Sequence, residues 1–432
     1  MSPQAQGPTL LYRSYKLVTA LIAPLAYRSS ARKLARANVS PQRQAERNGH
    51  ASLARPVGQV IWFHGASVGE TLSVLTLITH LGRRLPQAHF LITSGTATSA
   101  GLVAKRLPPR TQHQFAPLDA PAAVKRFITH WRPNAGIFVE SELWPNILVA
   151  ACAQDVPLAL LNARLSEKSA QDWRKFPDTA QFVLDHFSLF LAQNRRSADL
   201  LRSMGADDNR LSVGSNLKAS SDPLPVDQAL LDEMQQALSN RPVWVASSTH
   251  PGEEEVIIAA HQALLRQYPD LCCLLVPRHP ERGEAVAQML HDAGLTFAQR
   301  SKGDAFGAQQ VYLADTLGET GTWYALAPIV VMAGAFQPLG GHNPIEPAQA
   351  GAAIVTGPNY FNFSETYEPL LKLGGAVLAA DAASVATAVG RWLDQSDALQ
   401  SAQAAAQSLV QREQAALDRI MDKLCEALAL DG

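Results

Sequence analysis

Carboxylates and one arginine stand directly after short apolar runs, where they could act as a base or bind an anion. The first such turn, at residues 65–70, has the sequence GASVGE. Its glycines, Gly65 and Gly69, allow a tight turn from a strand into a helix whose free amides can face an anion. Glu70 then stands at the start of the helix, where it could be a general base or a partner of the helix dipole.

The same turn matches the G-x-S-x-G pattern of a nucleophile elbow, which makes Ser67 a candidate nucleophile of a serine hydrolase. Such an elbow would have to follow the first strand of the body of the protein. A glycine pattern this short is also often matched by chance. We therefore favour Glu70 over Ser67 as the reactive group.

Further polar residues follow other apolar runs. Glu140 and Glu142 come at the end of GIFVE and just after it, and one of the two could equally be a helix cap or a salt-bridge partner. In the second half of the chain, Pro277 and Arg278 follow a similar run. An arginine at this point can hold a phosphate through two parallel hydrogen bonds.

Two turns of the second half could bind a nucleotide. The turn DTLGE at residues 315–319 offers free amides for a base or a phosphate, although it could also be a simple helix cap. In GGHNPIEP, at residues 340–347, a diglycine meets a helix start with proline in its first turn. Amides there can hold a leaving phosphate, while Glu346 can accept hydrogen bonds from the two hydroxyls of a ribose. Because the chain has neither a G-K-[ST] P-loop nor a G-x-G-x-x-G motif, a nucleotide sugar fits better than ATP or a dinucleotide.

These residues need a scaffold that brings the ends of several strands together. From residue 57, apolar runs that end in small-residue turns alternate with helical stretches, a pattern typical of a parallel α/β sheet. One series covers residues 56–218 and a second covers 242–395, with a Pro- and Ser-containing linker at 219–241 and a closing helix at 396–432. Ligands bind at the carboxyl ends of parallel strands, so we expect the candidate residues to face a cleft between two doubly wound domains.

Composition excludes several classes of protein. The chain has 432 residues, of which 47% are hydrophobic, and is long enough for two or three globular domains. Its net charge of −1 gives no global basic field, so we expect no nucleic-acid partner. The four cysteines lack the C-x-x-C spacing of a zinc or redox site, and a reducing, cytosolic compartment is the simplest interpretation.

The first 55 residues differ from the rest, because nine Lys and Arg against one Glu give them a net charge of +8. Residues 17–27 (LVTALIAPLAY) are apolar but short, and no A-x-A cleavage site of a signal peptide directly follows them. One interpretation is a helix packed on the body with a solvated basic face. We favour a second, in which residues 9–36 lie at an anionic membrane surface, with the apolar side in the lipid and the arginines on phosphate groups.

Eight motifs, in order along nearly the whole chain, resemble those of the Kdo transferases, which move 3-deoxy-D-manno-octulosonic acid (Kdo) from CMP-Kdo to the lipid A precursor. They are HGASVGE, ESELWPN, NARLS, GSNLK, SSTHPGEE, VPRHPER, the LGE of DTLGE, and GGHNPIEP. The resemblance implies an α/β fold of the GT-B glycosyltransferase type, with two Rossmann-like domains, and transfer with inversion to lipid IVA. It also implies that no metal or other cofactor is required, and a location on the cytoplasmic face of the inner membrane.

The resemblance also implies roles for individual residues. Glu70 is similar to the catalytic base, and Glu140 and Lys218 to residues that assist charge development in the transition state. Gly65, Ser67 and Gly69 are expected near the acceptor or the sugar. The positions that resemble the CMP-binding residues are Pro277, Arg278, Leu317, Gly318, Glu319, Asn343, Pro344, Ile345 and Glu346.

Three other functions stay open from the sequence. A serine hydrolase would use Ser67. A non-catalytic lipid-binding protein would associate with membranes through residues 9–36 without consuming a nucleotide sugar. A GT-B transferase with a UDP-sugar donor is a closer rival, because it would share the fold.

Overall fold

The computed structural model describes residues 7–65, 68–214, 223–239 and 241–430. The chain forms two compact α/β units. Unit 1 comprises Met1–Ser220 together with Ala415–Gly432, and unit 2 comprises Ser221–Gln414.

Unit 1 is built on a seven-stranded parallel sheet in the order β3-β2-β1-β4-β5-β6-β7. Apart from the two edge strands, its strands are almost entirely buried because helices cover both faces, which explains their continuous apolar sequences. The strands are β1 (Val60–His64), β2 (His89–Ser94), β3 (Thr111–Phe115), β4 (Ala135–Val139), β5 (Leu158–Ala163), β6 (Leu189–Ala192) and β7 (Leu211–Val213).

The helices of unit 1 begin where the sequence provides a cap or a proline. Thr96, Ser166 and Asn194 each accept a hydrogen bond from an amide in the first turn, and three other helices have proline in the first turn. The helices are α1 (Leu10–Arg36), α2 (Pro41–Gln44), α3 (Val68–Arg84), α4 (Ala97–Ala104), α5 (Pro121–Trp131), α6 (Pro145–Cys152), α7 (Glu167–Arg174), α8 (Pro177–Leu184) and α9 (Arg195–Ser203).

Unit 2 has a second seven-stranded parallel sheet, in the order β10-β11-β9-β8-β12-β13-β14. Its strands are β8 (Val243–Thr249), β9 (Cys272–Pro277), β10 (Phe297–Gln299), β11 (Val311–Leu313), β12 (Ile329–Met332), β13 (Ala353–Thr356) and β14 (Ala376–Leu378). Its helices are α10 (Gln228–Leu238), α11 (Glu254–Leu265), α12 (Gly283–Asp292), α13 (Thr320–Leu326), α14 (Ile345–Gln349), α15 (Ser364–Leu373) and α16 (Ala382–Asp394).

The segment predicted as a linker and the closing helix both contribute side chains to the hydrophobic cores. Residues 215–222 lie outside the described residues, and α10 buries Leu230 and Met234 in the core of unit 2. The last helix, α17 (Ser396–Ala427), contributes Ala406 to the core of unit 2 and Leu424 to the core of unit 1. The predicted doubly wound α/β architecture with two parallel sheets is confirmed.

Each sheet has a point where the strand order reverses. β1 pairs with β2 on one side and with β4 on the other, and β8 pairs in the same way with β9 and β12. In open parallel sheets, ligands bind outside the carboxyl ends of the strands at such a point. Within each unit, the turns after these strands are therefore where functional side chains are expected.

Helix α1 lies on unit 1 through the buried Tyr12 and through polar side chains. The Tyr15 hydroxyl donates to Asp119 Oδ2 at 2.9 Å, and the Asn146 amide donates to Thr19 Oγ1 at 3.0 Å. The large apolar side chains of its first half point away from the core: Leu10, Leu17, Leu21 and Leu25 are 63–80% exposed. Within the described part of the chain, no helix combines the length and the apolarity needed to cross a membrane.

Candidate functional site

Three residues near strand ends adopt a backbone conformation that is rare for residues other than glycine. The φ angles of Glu140, Asn162 and Ser248 are 60°, 51° and 60°. The pairing register shifts at Asn162 in β5 and at Ser248 in β8. Such irregularities redirect side chains and are frequent beside functional sites. They mark the carboxyl edges of both sheets.

In unit 2, a cavity of about 380 Å³ opens at the carboxyl ends of β8, β9 and β12. Six of the nine predicted CMP-binding residues line it: Pro277, Arg278, Leu317, Gly318, Asn343 and Glu346. Residues that the sequence analysis did not single out complete the wall, among them Ser248, Thr316, Tyr324 and His342. The cavity therefore collects residues from turns that are up to about a hundred positions apart in the chain.

Asn343 orients Glu346 within this cavity. Its side-chain Oδ1 accepts a hydrogen bond from the amide of Ile345 at 3.1 Å, and its Nδ2 donates to Glu346 Oε1 at 3.3 Å. Burial raises the pKa of Glu346, although Asn343 and the positive charge of Arg278 oppose the shift. A partly buried carboxylate held in this way can accept hydrogen bonds from a bound hydroxyl.

Three of the predicted CMP-binding residues do not line the cavity. Pro344 and Ile345 are buried in the core of unit 2. The Glu319 carboxylate is bonded by Arg300, with Nη2 at 2.7 Å and Nε at 3.2 Å from Oε1, and it also accepts from the Thr316 hydroxyl. Hydrogen bonding from Arg300 lowers the pKa of Glu319 despite the opposing effect of burial. Glu319 thus braces the turn before α13, and Arg300 is a partner that the sequence analysis missed.

A histidine pair also escaped the sequence analysis. His250 Nε2 and His342 Nε2 are 3.0 Å apart, and the two rings stack with centroids 5.2 Å apart. Burial, together with nearby positive groups, lowers the pKa of His342 to about 4. The buried Glu253 accepts from the amides of His250 at 3.1 Å and Gly334 at 2.8 Å, and so ties the two turns together. His250 belongs to SSTHPGEE and His342 to GGHNPIEP, but nothing in either motif pairs the two histidines.

In unit 1, Glu70 and Glu140 follow two adjacent strands, β1 and β4. Glu70 lies in the first turn of α3 and is half-buried. A Cβ atom on Gly65 would lie only 3.1 Å from the Cβ of Glu70, which explains a residue without a side chain at this point of the turn. Glu140 is half-buried, and its amide donates to the carbonyl of Leu161 at 2.9 Å.

The second carboxylate of the acidic pair has a structural partner. Glu142 is 8% exposed, lies 3.2 Å from His64 Nε2 and accepts from the Trp144 indole. Burial acts to raise the pKa of Glu142, but the bond and charge of His64 outweigh it and the pKa is lowered. Glu142 is thus the member of the pair that acts as a salt-bridge partner.

Not every predicted site residue lies in the part of the chain that the structure describes. Ser67 and Lys218 lie outside the described residues, and Gly69 belongs to the first turn of α3. Among the residues that the structure describes, no group of three His, Cys, Asp or Glu side chains is arranged to hold a metal ion.

Two units, each built on a seven-stranded parallel sheet with helices on both faces, have the architecture of the GT-B fold. A glycosyltransferase from Rickettsia africae has this fold, with a TM-score of 0.51 and 12% identity over 86% of this chain and 99% of that chain. The family model of the 3-deoxy-D-manno-octulosonic-acid transferases matches residues 42–221.

Curated relatives give the same family over most of the chain. A probable mitochondrial 3-deoxy-D-manno-octulosonic acid transferase of Arabidopsis thaliana is 36% identical over 362 residues, which is 82% of this chain and 81% of the relative. The transferase of Haemophilus influenzae is 33% identical over 390 residues, 89% of this chain and 91% of the relative. The chain belongs to the Kdo transferase family and is a glycosyltransferase. The predicted family, fold and enzyme class are confirmed, and the hydrolase and non-catalytic alternatives find no support among these relatives.

Proposed function

We propose that this enzyme transfers Kdo from CMP-Kdo to the lipid A precursor lipid IVA, with inversion at the sugar. The family supports Kdo as the transferred group. The observation that carries the donor assignment is the cavity of unit 2, in which Arg278, Asn343 and Glu346 line one space. A guanidinium is suited to binding a phosphate. A carboxylate that is oriented by an amide is suited to binding the hydroxyls of a ribose.

In this proposal, unit 2 binds the cytidine monophosphate portion of the donor. The cytosine lies against the turn at Leu317 and Gly318, where Gly318 has a φ of 88°. Glu346 accepts from the ribose hydroxyls, because Asn343 holds it in place. Arg278 stabilises the phosphate, which gains negative charge as the bond to the sugar breaks.

The transfer step requires a base and electrostatic stabilisation. The anomeric carbon of Kdo also carries a carboxylate, so departure of CMP creates an oxocarbenium-like centre and a phosphate monoester dianion. Glu70 takes the proton of the acceptor hydroxyl, while Glu140 and Lys218 assist the developing charge. No metal is needed, because the leaving group is a monophosphate and Arg278 provides positive charge.

We further propose that residues 9–36 bind the enzyme to the cytoplasmic face of the inner membrane. The support is the orientation of α1, in which Tyr15 and Thr19 bond to unit 1 while Leu10, Leu17, Leu21 and Leu25 face outward. Its exposed basic residues could meet anionic phosphate groups at about 1 kcal/mol each. They are Arg13, Lys16, Arg28, Arg32, Lys33 and Arg36.

The direct test is incubation of the purified enzyme with freshly prepared CMP-Kdo and a tetraacyl lipid A precursor, followed by mass spectrometry of the lipid. We expect the mass of the lipid to increase by one or more Kdo units, and activity to persist in EDTA. Transfer from a UDP-sugar but not from CMP-Kdo would contradict the donor assignment. Loss of activity in EDTA with recovery in magnesium would contradict the metal-free mechanism.

A further inference from the structure

A second cavity, of about 520 Å³, opens in unit 1 at the turns after β4, β5 and β6. Glu140 lines it, so it adjoins a residue that the proposed mechanism uses. The other residues that matter here are Arg164, Ser166, Ser169, Asn194 and Ser197. The wall of this cavity is thus built largely from hydrogen-bonding groups rather than apolar side chains.

Arg164 brings an available positive charge to this cavity. Among the described residues, no side chain forms a hydrogen bond or an ion pair with its guanidinium, whose neighbour Arg196 is instead paired with Glu167 at 3.0 Å. Its backbone is held, since the amide of Arg164 donates to the carbonyl of Glu140 at 3.3 Å. Glu140 is already engaged elsewhere in the chain. The Arg164 guanidinium can therefore serve a ligand.

Two helix starts add donors to the same cavity. α7 and α9 begin directly after the cap residues Ser166 and Asn194, and both caps line the cavity. Each cap accepts a hydrogen bond from a third-position amide, from Ser169 at 3.0 Å and from Ser197 at 2.9 Å. The first two amides of each helix have no carbonyl partner within the helix, and the positive ends of both helix dipoles meet at this cavity.

Asn162 adds unmet hydrogen-bonding capacity beside this turn. It is 3% exposed, and within the described part of the chain neither its side-chain nitrogen nor its oxygen has a hydrogen-bond partner. It lies between Leu161 and Arg164, which bond the amide and the carbonyl of Glu140. A buried amide without partners is costly, and a bound water or ion, strain or a functional role can account for such a group.

We propose that this cavity is an oxyanion subsite, in which Arg164 binds an anionic group of a substrate and the two helix starts assist. This inference rests on the proposed function, because that function supplies the anionic substrates. Two groups have the required chemistry, namely the carboxylate of the Kdo residue and a phosphate of the lipid acceptor. An arginine pairs with either through two parallel hydrogen bonds.

The test compares Arg164→Ala and Arg164→Lys with the wild type. Arg174→Ala is the matched control, because Arg174 is an exposed arginine at the other end of α7 and does not line the cavity. We expect Arg164→Ala to lower kcat/KM by about ten- to a hundredfold, the loss typical of a hydrogen bond to a charged group. Arg164→Lys should retain part of the activity, and the control should match the wild type.

Two acceptors distinguish the sources of the anion. If the subsite binds a phosphate of the lipid, Arg164→Ala raises the KM of the phosphorylated acceptor, while the wild type and the variant use a dephosphorylated acceptor equally well. If the subsite binds the Kdo carboxylate, Arg164→Ala loses the same factor in kcat/KM with both acceptors, and the loss appears in the donor KM or in kcat. Unchanged kinetics with both acceptors would overturn the proposal and leave the proposed function intact.

A binding measurement keeps the two proposals separable. Inorganic phosphate is titrated into the wild type and into Arg164→Ala, and its ³¹P line width is followed. Binding that is lost in Arg164→Ala but kept in Arg174→Ala supports the subsite, even if the wild type transfers no Kdo and the proposed function fails. Equal binding, or equal absence of binding, in the wild type and Arg164→Ala would overturn a phosphate subsite.

In that case acetate, followed by its ¹H line width, tests a carboxylate subsite in the same variants. Equal results for acetate in the wild type and Arg164→Ala would overturn the whole proposal.

Discussion

Individual side chains in this enzyme take their roles from neighbours that are distant in the chain. Glu140 and Glu142 stand two positions apart after the same strand, yet only Glu142 is bonded to His64 at the end of β1. Glu140 has a positive φ and lines a cavity. Two carboxylates of one motif therefore have different surroundings, which their spacing in the chain does not reveal.

The first prediction concerns Glu70 as the base. Glu70→Gln removes a proton acceptor at nearly constant shape, and general-base catalysis contributes typically ~10²–10⁴-fold. We therefore expect kcat to fall by about that factor, with the affinity for CMP unchanged because the nucleotide is assigned to unit 2. Single-turnover transfer and a CMP binding titration measure the two quantities.

Glu255→Gln serves as the matched control for this prediction, because Glu255 is an exposed glutamate on α11. Its turnover should equal that of the wild type. If Glu70→Gln kept full turnover, another group would have to be the base. If it lost CMP binding as well, the change would have disturbed the fold rather than the chemistry.

The second prediction concerns pH and His261. His261 is 1% exposed, donates from Nε2 to the carbonyl of Gln310 at 2.9 Å and lies with Nδ1 3.4 Å from the Trp244 indole nitrogen. Burial lowers its pKa to about 4, so the folded protein keeps it neutral while the unfolded chain, with a pKa of about 6.5, takes up a proton as the pH falls.

The contribution of the neutral His261 to the free energy of unfolding is lost as the pH falls from about 6.5 towards 4, because only the unfolded state binds the proton in that range. Between pH 7 and pH 5 the contribution of His261 to the free energy of unfolding should fall by about 2 kcal/mol. Urea unfolding at both pH values should show a decrease smaller by about that amount in His261→Gln. His291→Gln, at an exposed histidine, should keep the decrease of the wild type. An equal decrease in all three proteins would contradict a neutral, buried His261.

At the scale of elements, α1 exposes large apolar side chains along its first half. Its contacts with the body include hydrogen bonds of Tyr15 and Thr19, whereas Leu17, Leu21 and Leu25 are exposed. An exposed apolar stripe flanked by basic residues is the arrangement of helices that lie in a membrane interface. The sequence suggested this interpretation from charge and apolarity, and the orientation of the helix supports it.

The third prediction tests that element. The triple variant Leu17→Gln, Leu21→Gln and Leu25→Gln should bind anionic phospholipid vesicles at least a hundredfold more weakly, since burial of a leucine side chain contributes about 1.5–3 kcal/mol. Vesicle sedimentation measures the partition coefficient. Because these side chains are exposed, the circular dichroism and thermal unfolding of the variant should match those of the wild type. Val57→Gln, at a valine that is 92% exposed outside α1, is the control. Equal binding by the triple variant would show that α1 is not the membrane contact.

At the scale of the whole molecule, two units with the same kind of sheet hold different polar groups. The cavity of unit 2 has Arg278 and Glu346 at the strand ends, whereas unit 1 has Glu70 and Glu140 at the corresponding edge. This division matches the proposed chemistry, in which one substrate is held through its nucleotide and the other is deprotonated. In that proposal the two compact units have separable tasks.

The fourth prediction follows from this division. CMP at about 100 times its Kd should stabilise the folded state that binds it by about 2.7 kcal/mol. We expect hydrogen exchange to slow in the turns after β8, β9 and β12, and to stay unchanged after β1 and β4. Mass spectrometry of peptides from these turns measures the effect. UDP at the same concentration should protect less, and stronger protection by UDP would favour a UDP-sugar donor.

The sequence by itself determined the elements and the turns that carry the polar residues. Continuous apolar runs predicted buried parallel strands, and small residues after them predicted where each strand would end, because both signals are local. The order of the motifs was sufficient to identify the family. Six of the predicted donor-binding residues share one cavity because the carboxyl ends of neighbouring parallel strands necessarily lie at one edge of a sheet.

Only the tertiary structure decided which of those polar groups point into a cavity and which are used to hold the turns in place. Glu319 is bonded by Arg300, and His342 lies 3.0 Å from His250, a residue 92 positions earlier. Arg164 lines a cavity that two helix starts also reach, although nothing in its motif indicated a ligand. The physical reason is that side-chain direction depends on bulges, positive φ angles and the packing of distant segments, and none of these is encoded in the spacing of residues along the chain.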